Sequence, residues 1–228
     1  KTSAQLDQEV FNAVNNTKNQ GRHIVLHTMD QSKLGYQSPS DEFIKKLNTL
    51  EDLSIQIIVD GSQLRLDPKD IQNYLNKGYI VTITGSKFCT GPAYCGALIL
   101  PKSVNKLIQS VKNTLPKGLT QYYNRSDWPT SWFCSNELSD GYNYGSYMRW
   151  NAAVVEMDRY YKTPILYRNM GIEMFCNFVD DSIKEATFLQ PIYGDETKTK
   201  SYSSKEFGIR NIRTIFPFFI FKNNEVLS

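Results

Sequence analysis

Short apolar runs alternate with amphipathic stretches through the first half of the chain, and turn-forming residues mark the changes. Residues 3–20 read as a polar helix, and "HIVLHT" (23–28) as a short apolar strand that ends in the loop "MDQSKLGYQSPS". Ser40, followed by Asp41 and Glu42, has the chemistry of a helix N-cap with acids in the first turn, and that helix runs to about Leu50. "SIQIIVD" (54–60) is a second strand. Asp67 caps a helix with Pro68 at its first position, and Gly78 closes it. "YIVTITG" (79–85) and "CGALILP" (95–101) are two further strands, and 102–115 is an amphipathic helix. The strands are apolar on both faces and most are separated by helices. That pattern predicts an α/β fold whose mostly parallel sheet is covered by helices. A polar loop rich in aromatics, 119–142, leads to a long helix at about 145–162. Pro164 then opens a tail with strand-like runs "FCNFVD", "TFLQPIYG" and "TIFPFFIF", broken by a charged loop at 195–206. The division is a large domain over 1–162 and a small α+β lobe over 163–228.

Composition narrows the function classes. The chain has 228 residues, of which 40% are hydrophobic, 13% aromatic and 21% charged. A net charge of +3, evenly spread, argues against a nucleic acid or an anionic membrane as partner. No stretch approaches the ~18 apolar residues of a membrane span. The first twenty residues are polar and carry no signal-peptide pattern, although a chain beginning at Lys1 reads as a fragment or a processed product. Four cysteines without metal-ligand spacing, and only two histidines, exclude a Cys/His zinc site and suit a reducing, cytoplasmic compartment. The sequons at Asn15 and Asn124 then read as chance matches.

Ligands of open α/β sheets gather at the carboxyl ends of the strands. His27 and Asp30 follow the first strand, Asp60 and Gln63 the second, and Thr84, Ser86 and Lys87 the third. Singly each has an ordinary explanation: Asp60 as the cap of an Asp-Gly turn, Lys87 as a solvated loop lysine, His27 as a half-buried histidine. On three successive strand ends they point to a site.

Val59-Asp60-Gly61-Ser62-Gln63, followed by Thr84-Gly85-Ser86-Lys87 with Gly91, Pro92 and Gly96, resembles the core of fold type I pyridoxal-phosphate enzymes. The branch it most resembles is aminotransferase class V, which includes the cysteine desulfurases. There the pattern is V-D-[GA]-[AS]-Q, then S-[GA]-H-K-x-x-G-P-x-G-x-G. The upstream "LHTMDQSKLGY" is similar to that family's T-H-x-S-N-x-x-G loop, aligning His27 with its histidine and Asp30 with its asparagine. "GSYMRWNAAVVEM" resembles the helix after its partner-facing phosphate loop, so the resemblance spans about residues 22–160.

The resemblance implies pyridoxal 5'-phosphate as cofactor, held by Lys87 as a Schiff base at a desolvated strand mouth. It implies Asp60 at the pyridine nitrogen, Gln63 at the ring 3-oxygen, and Thr84 and Ser86 at the phosphate. Ser86 stands where the family has histidine, Gly141 where it has the partner-facing threonine, and Asp30 where it has asparagine. The family's first half, with its glycine-rich phosphate loop and ring-stacking residue, has no counterpart here, so an earlier segment or another chain would supply it. The site of such enzymes lies between two subunits, which implies a homodimer, with the 119–142 aromatics as interface material. Arg213, just before a strand, is the better placed of Arg210 and Arg213 to bind a substrate carboxylate, while Arg149 reads as structural. Cys176 reads as core, and Cys134 is little better placed for desulfurase chemistry. The implied activity is transferase or lyase chemistry on an amino acid or amine: transamination, desulfuration or a lyase reaction. The alternative is a non-catalytic or partner subunit that keeps the fold.

Overall fold

A computed structural model describes residues 2–30, 37–50, 54–112, 114–192, 215–222 and 225–226. Helix α1 (Ser3–Asn19) leads into strand β1 (Ile24–Met29), α2 (Asp41–Asn48), β2 (Ile55–Asp60), α3 (Pro68–Asn76), β3 (Ile80–Thr84) and β4 (Gly96–Ile99). The four strands form one sheet in the order β1-β2-β3-β4; the first three are parallel and β4 returns antiparallel. The chain is therefore α/β with a mostly parallel sheet. The helix starts follow from local chemistry. The Ser40 hydroxyl accepts the Phe43 N–H at 3.1 Å, and the Asp70 carboxylate accepts the Asp67 N–H at 3.1 Å.

The register decides what each strand residue faces. Met29 aligns with Asp60, and Asp60 with Thr82, so these three point to one face. Ile24, Ile57, Val59 and Val81 point to the other and are buried there with Phe43, Ile44 and Leu47 of α2 and Tyr74 of α3. Burying each such aliphatic side chain contributes about 1.5–3 kcal/mol. The opposite face is different: Val25 is 56% exposed and Leu98 64%. The sequence predicted helices over both faces. Among the described residues, the helices whose buried side chains join these two clusters, α1, α2 and α3, all lie on one face. The apolar residues of the second face are present as read; Val25 and Leu98 stay exposed there, while Met29, Ile58 and Ile80 are half-buried.

Helix α4 (Lys102–Ser110) ends five residues sooner than its amphipathic pattern, which ran to Leu115. Helix α5 (Leu119–Tyr122) and two 3-10 turns (Arg125–Asp127 and Phe133–Glu137) shape the aromatic loop. There Trp128 packs edge-on against Tyr123 and Trp132, and the Trp132 indole N–H donates to Asn105 of α4 at 2.8 Å. Helices α6 (Tyr144–Lys162) and α7 (Ile165–Glu185) follow, then β5 (Leu189–Pro191), β6 (Phe218–Lys222) and β7 (Glu225–Val226) in an antiparallel sheet. "FCNFVD", read as a strand, lies inside α7. Its apolar residues 175, 176, 178 and 179 recur at helical spacing, and the buried residues Cys176 and Ile183 sit two turns apart on one face. No helix among the described residues is long and apolar enough to cross a membrane.

Candidate active site

Asp60 ends β2 on the open face of the sheet, and the turn after it is built on a steric need for glycine. A Cβ on Gly61 would lie 2.6 Å from Leu66 Cδ1 and 3.1 Å from the Thr82 carbonyl oxygen. The bare Gly61 N–H donates to that same carbonyl at 2.9 Å, which folds the chain back so that the Ser62 N–H donates to Asp60 Oδ1 at 2.9 Å. Burial pushes the Asp60 carboxyl up. The Ser62 hydroxyl and N–H, with the charges of His27 and Lys87, outweigh it and hold the group below the ordinary carboxylate value. Asp60 is thus an ionised carboxylate at neutral pH.

Lys87 comes from the loop after β3, and its ammonium Nζ donates to Ser62 Oγ at 2.9 Å. Ser62 therefore touches both groups, its hydroxyl accepting from Lys87 and its backbone N–H donating to Asp60. The sequence predicted a desolvated lysine. The structure leaves Lys87 exposed on its loop.

The lysine loop is locked from below. Gly91 N–H donates to the Gly85 carbonyl at 2.9 Å and Thr90 N–H to the Lys87 carbonyl at 3.0 Å. Ala153 of α6 fits against Gly85 and Gly91; a Cβ on Gly91 would come within 2.9 Å of its methyl. Thr84 braces the same hairpin. Its hydroxyl donates to the Cys95 carbonyl at 2.7 Å and accepts from the Ser86 N–H at 3.3 Å and from the Ser86 hydroxyl at 2.8 Å. One donor and two lone pairs are then fully used, so a phosphate at Thr84 would have to displace one of these bonds.

His27 lies on the same open face as Asp60, exposed, two residues before Met29. Gln63 is half-buried on the turn after Asp60, and Ser86 half-buried beside Thr84. Asp30 is not brought to this group. It follows Met29, so its side chain falls on the core face, where it is 4% exposed and accepts the Tyr74 hydroxyl at 2.8 Å. Arg65, buried over the Phe88 ring, faces Asp30 with a compensating charge. The added negative charge expected near a cofactor ring is thereby turned inward. Arg213 lies outside the described residues. Arg149 lies along α6 with its guanidinium over Gly145.

No role was read for Ser62 from the sequence, although it directly follows Asp-Gly, where an aspartate side chain ordinarily caps its own turn by accepting the N–H two residues on. Arg65 was passed over as well; an arginine in a polar loop carries no mark of burial. Among the described residues, Asp60, Ser62 and Lys87 line none of three cavities. One of about 350 Å³ sits between the 88–90 loop and α6, one of about 220 Å³ beneath Asp30 and Tyr74, and one of about 560 Å³ beside Tyr142, Tyr147 and Trp150.

No family model matches the chain. No curated protein sequence matches it either. Among solved structures, the crystal structure of mouse CSAD in apo form aligns with 85% of this chain at 12% identity and a TM-score of 0.47. The chain spans 38% of the length of that protein, and so slight a likeness carries no weight for fold or chemistry.

Proposed function

We propose that this chain is the lysine-bearing part of a pyridoxal-phosphate-dependent enzyme acting on an amino acid or amine, with Lys87 as the covalent attachment point. The observation that carries the reading is the convergence of Lys87 and Asp60, from two different strand ends, on one serine: the lysine amine on its hydroxyl and the carboxylate on its backbone N–H. The donor set fits the cofactor. An ionised carboxylate suits a protonated pyridine nitrogen, and a primary amine within reach of the same edge suits an aldehyde. The open sheet face supports room for a flat ring. When bound, the cofactor supplies an electron sink for charge developing on the substrate α-carbon.

The chain's own residues have separable tasks in this reading. Asp60 holds the ring proton by its charge. Gln63 would donate to the ring 3-oxygen, and His27, on β1, would lie on the same face as the ring. Ser86 and the 85–91 loop face the phosphate, while Thr84 keeps the hairpin closed beneath them. Arg213 binds the substrate carboxylate. Asp30 takes no part, since its carboxylate is committed to Tyr74 on the core face. The chemistry is of transferase or lyase type, as transamination, desulfuration or a lyase reaction.

The exposure of Lys87, Val25 and Leu98 favours a site completed by a further segment or chain. A second copy is the natural candidate for the remaining wall. Tyr122 is 80% exposed and Tyr142 76% exposed, an aromatic surface suited to an interface. The same openness supports the second reading, a partner subunit that does not act alone. Borohydride reduction of the full protein with pyridoxal phosphate, followed by peptide mapping, tests the primary reading. The label is expected on Lys87; a label elsewhere, or none, overturns it.

A further inference from the structure

We propose that Ser62 is a positioning residue for Lys87, anchoring the amine toward Asp60. The inference deepens the function proposed above, but its geometry stands without the cofactor. Lys87 is an exposed loop lysine, and such side chains ordinarily sample many rotamers. Here the amine has one named partner, Ser62 Oγ at 2.9 Å. That partner is itself fixed: the Ser62 N–H is tied to Asp60 Oδ1 at 2.9 Å, and a Cβ on Gly61 before it would press on Leu66 Cδ1 at 2.6 Å.

Hydroxyl chemistry allows this arrangement in one sense only. The ammonium has donors and no acceptor, and the carboxylate has acceptors and no donor. The Ser62 hydroxyl accepts from the nitrogen, while the Ser62 backbone N–H donates to the carboxylate. Alanine at 62 would leave the amine without its anchor and keep the N–H bond to the carboxylate. Threonine would keep the hydroxyl.

The test reads lysine reactivity inside one molecule. The full-length protein, free of added cofactor, is treated with formaldehyde and cyanoborohydride, and methylation of each lysine is followed by peptide mass spectrometry. Lys69 and Lys102, both exposed and away from the site, are internal references. Ser62→Ala is expected to raise the Lys87 rate about threefold against these references, as loss of one charge-assisted bond at an exposed site should. Ser62→Thr should stay near the parent ratio. General unfolding would raise all lysines together and leave the ratio unchanged. Should Ser62→Ala fold poorly, Asp60→Asn provides the second arm. It keeps the Ser62 hydroxyl but removes the charge behind it, and a smaller rise at Lys87 is expected. A Lys87 ratio unchanged in a folded Ser62→Ala protein, or equally raised in Ser62→Thr, overturns the proposal. A shifted ratio in a protein that never attaches pyridoxal phosphate would sustain the role of Ser62 and reject the cofactor reading.

Discussion

Gly91→Ala should unlatch the lysine loop, and the size of the effect follows from two distances. The added Cβ would stand 2.8 Å from the Gly85 carbonyl oxygen and 2.9 Å from the Ala153 methyl. The second distance is at least about 0.6 Å inside an ordinary carbon–carbon contact of ~3.5 Å. Neither neighbour can step aside easily. The Gly85 carbonyl is held by the Gly91 N–H at 2.9 Å, and the Gly85 N–H is held by the Cys95 carbonyl at 2.8 Å. Ala153 is fully buried on α6. Overpacking of this kind costs about 1–3 kcal/mol. Taking the middle, about 2 kcal/mol, the melting temperature should fall by about 4–8 °C for a chain of this size. Ala153→Gly removes one of the two clashes. Alone it should destabilise by about 1 kcal/mol through helix propensity. Combined with Gly91→Ala it should recover about 1 kcal/mol relative to additivity, a coupling that a double-mutant cycle by thermal or urea unfolding resolves. If Gly91→Ala melts within about 1 °C of the parent, or the two changes simply add, the lock between loop and α6 is not what holds Lys87 in place.

Asp60→Asn keeps size and shape but removes the charge, and turnover on a verified substrate should fall at least ~10²-fold, about 2.7 kcal/mol in the barrier. Activity equal to the parent's would reject Asp60 as the partner of the ring nitrogen. A pH-dependent test comes from Asp67, whose carboxyl is pushed above its ordinary value by burial and by the charge of Asp70. A raised carboxyl favours the folded state while protonated, so this stabilisation is present at low pH and is lost as pH rises through the folded value. Asp67→Asn, which keeps an N-cap of equal quality, should therefore raise the melting temperature at pH 7 and lose that advantage near pH 3. A lower melting temperature at pH 7 would count against it.

What was legible in the sequence was local. The apolar runs mark β1 to β4 to within one or two residues, and Ser40 and Pro68 mark helix starts, because caps and periodicity act over a few positions. The Asp60 and Lys87 loops stood out because their residue types are costly on apolar strands without a purpose. The rest depends on register. Asp30 and Asp60 end neighbouring strands, yet they face opposite sides because Met29, not Asp30, aligns with Asp60. Nothing along the chain states that offset. "FCNFVD" misleads for a related reason, since a short apolar run fits both periods until its neighbours are placed. Burial of Arg65 and exposure of Lys87 are likewise products of assembly.

The order β1-β2-β3-β4 leaves β1 at the rim of the sheet. Among the described residues, only its last residue is paired on the outer side, where Met29 and Ser38 exchange two backbone bonds of 2.8 and 3.2 Å. His27 and Val25, two and four residues before Met29, therefore direct backbone donors and acceptors to the same outer side. Such a rim recruits strands without regard to their sequence, since main-chain groups do the pairing. Handled as a separate polypeptide at high concentration, the chain is open to edge-to-edge association along β1. A lysine at position 25 would blunt that self-association while leaving the buried side of the strand untouched.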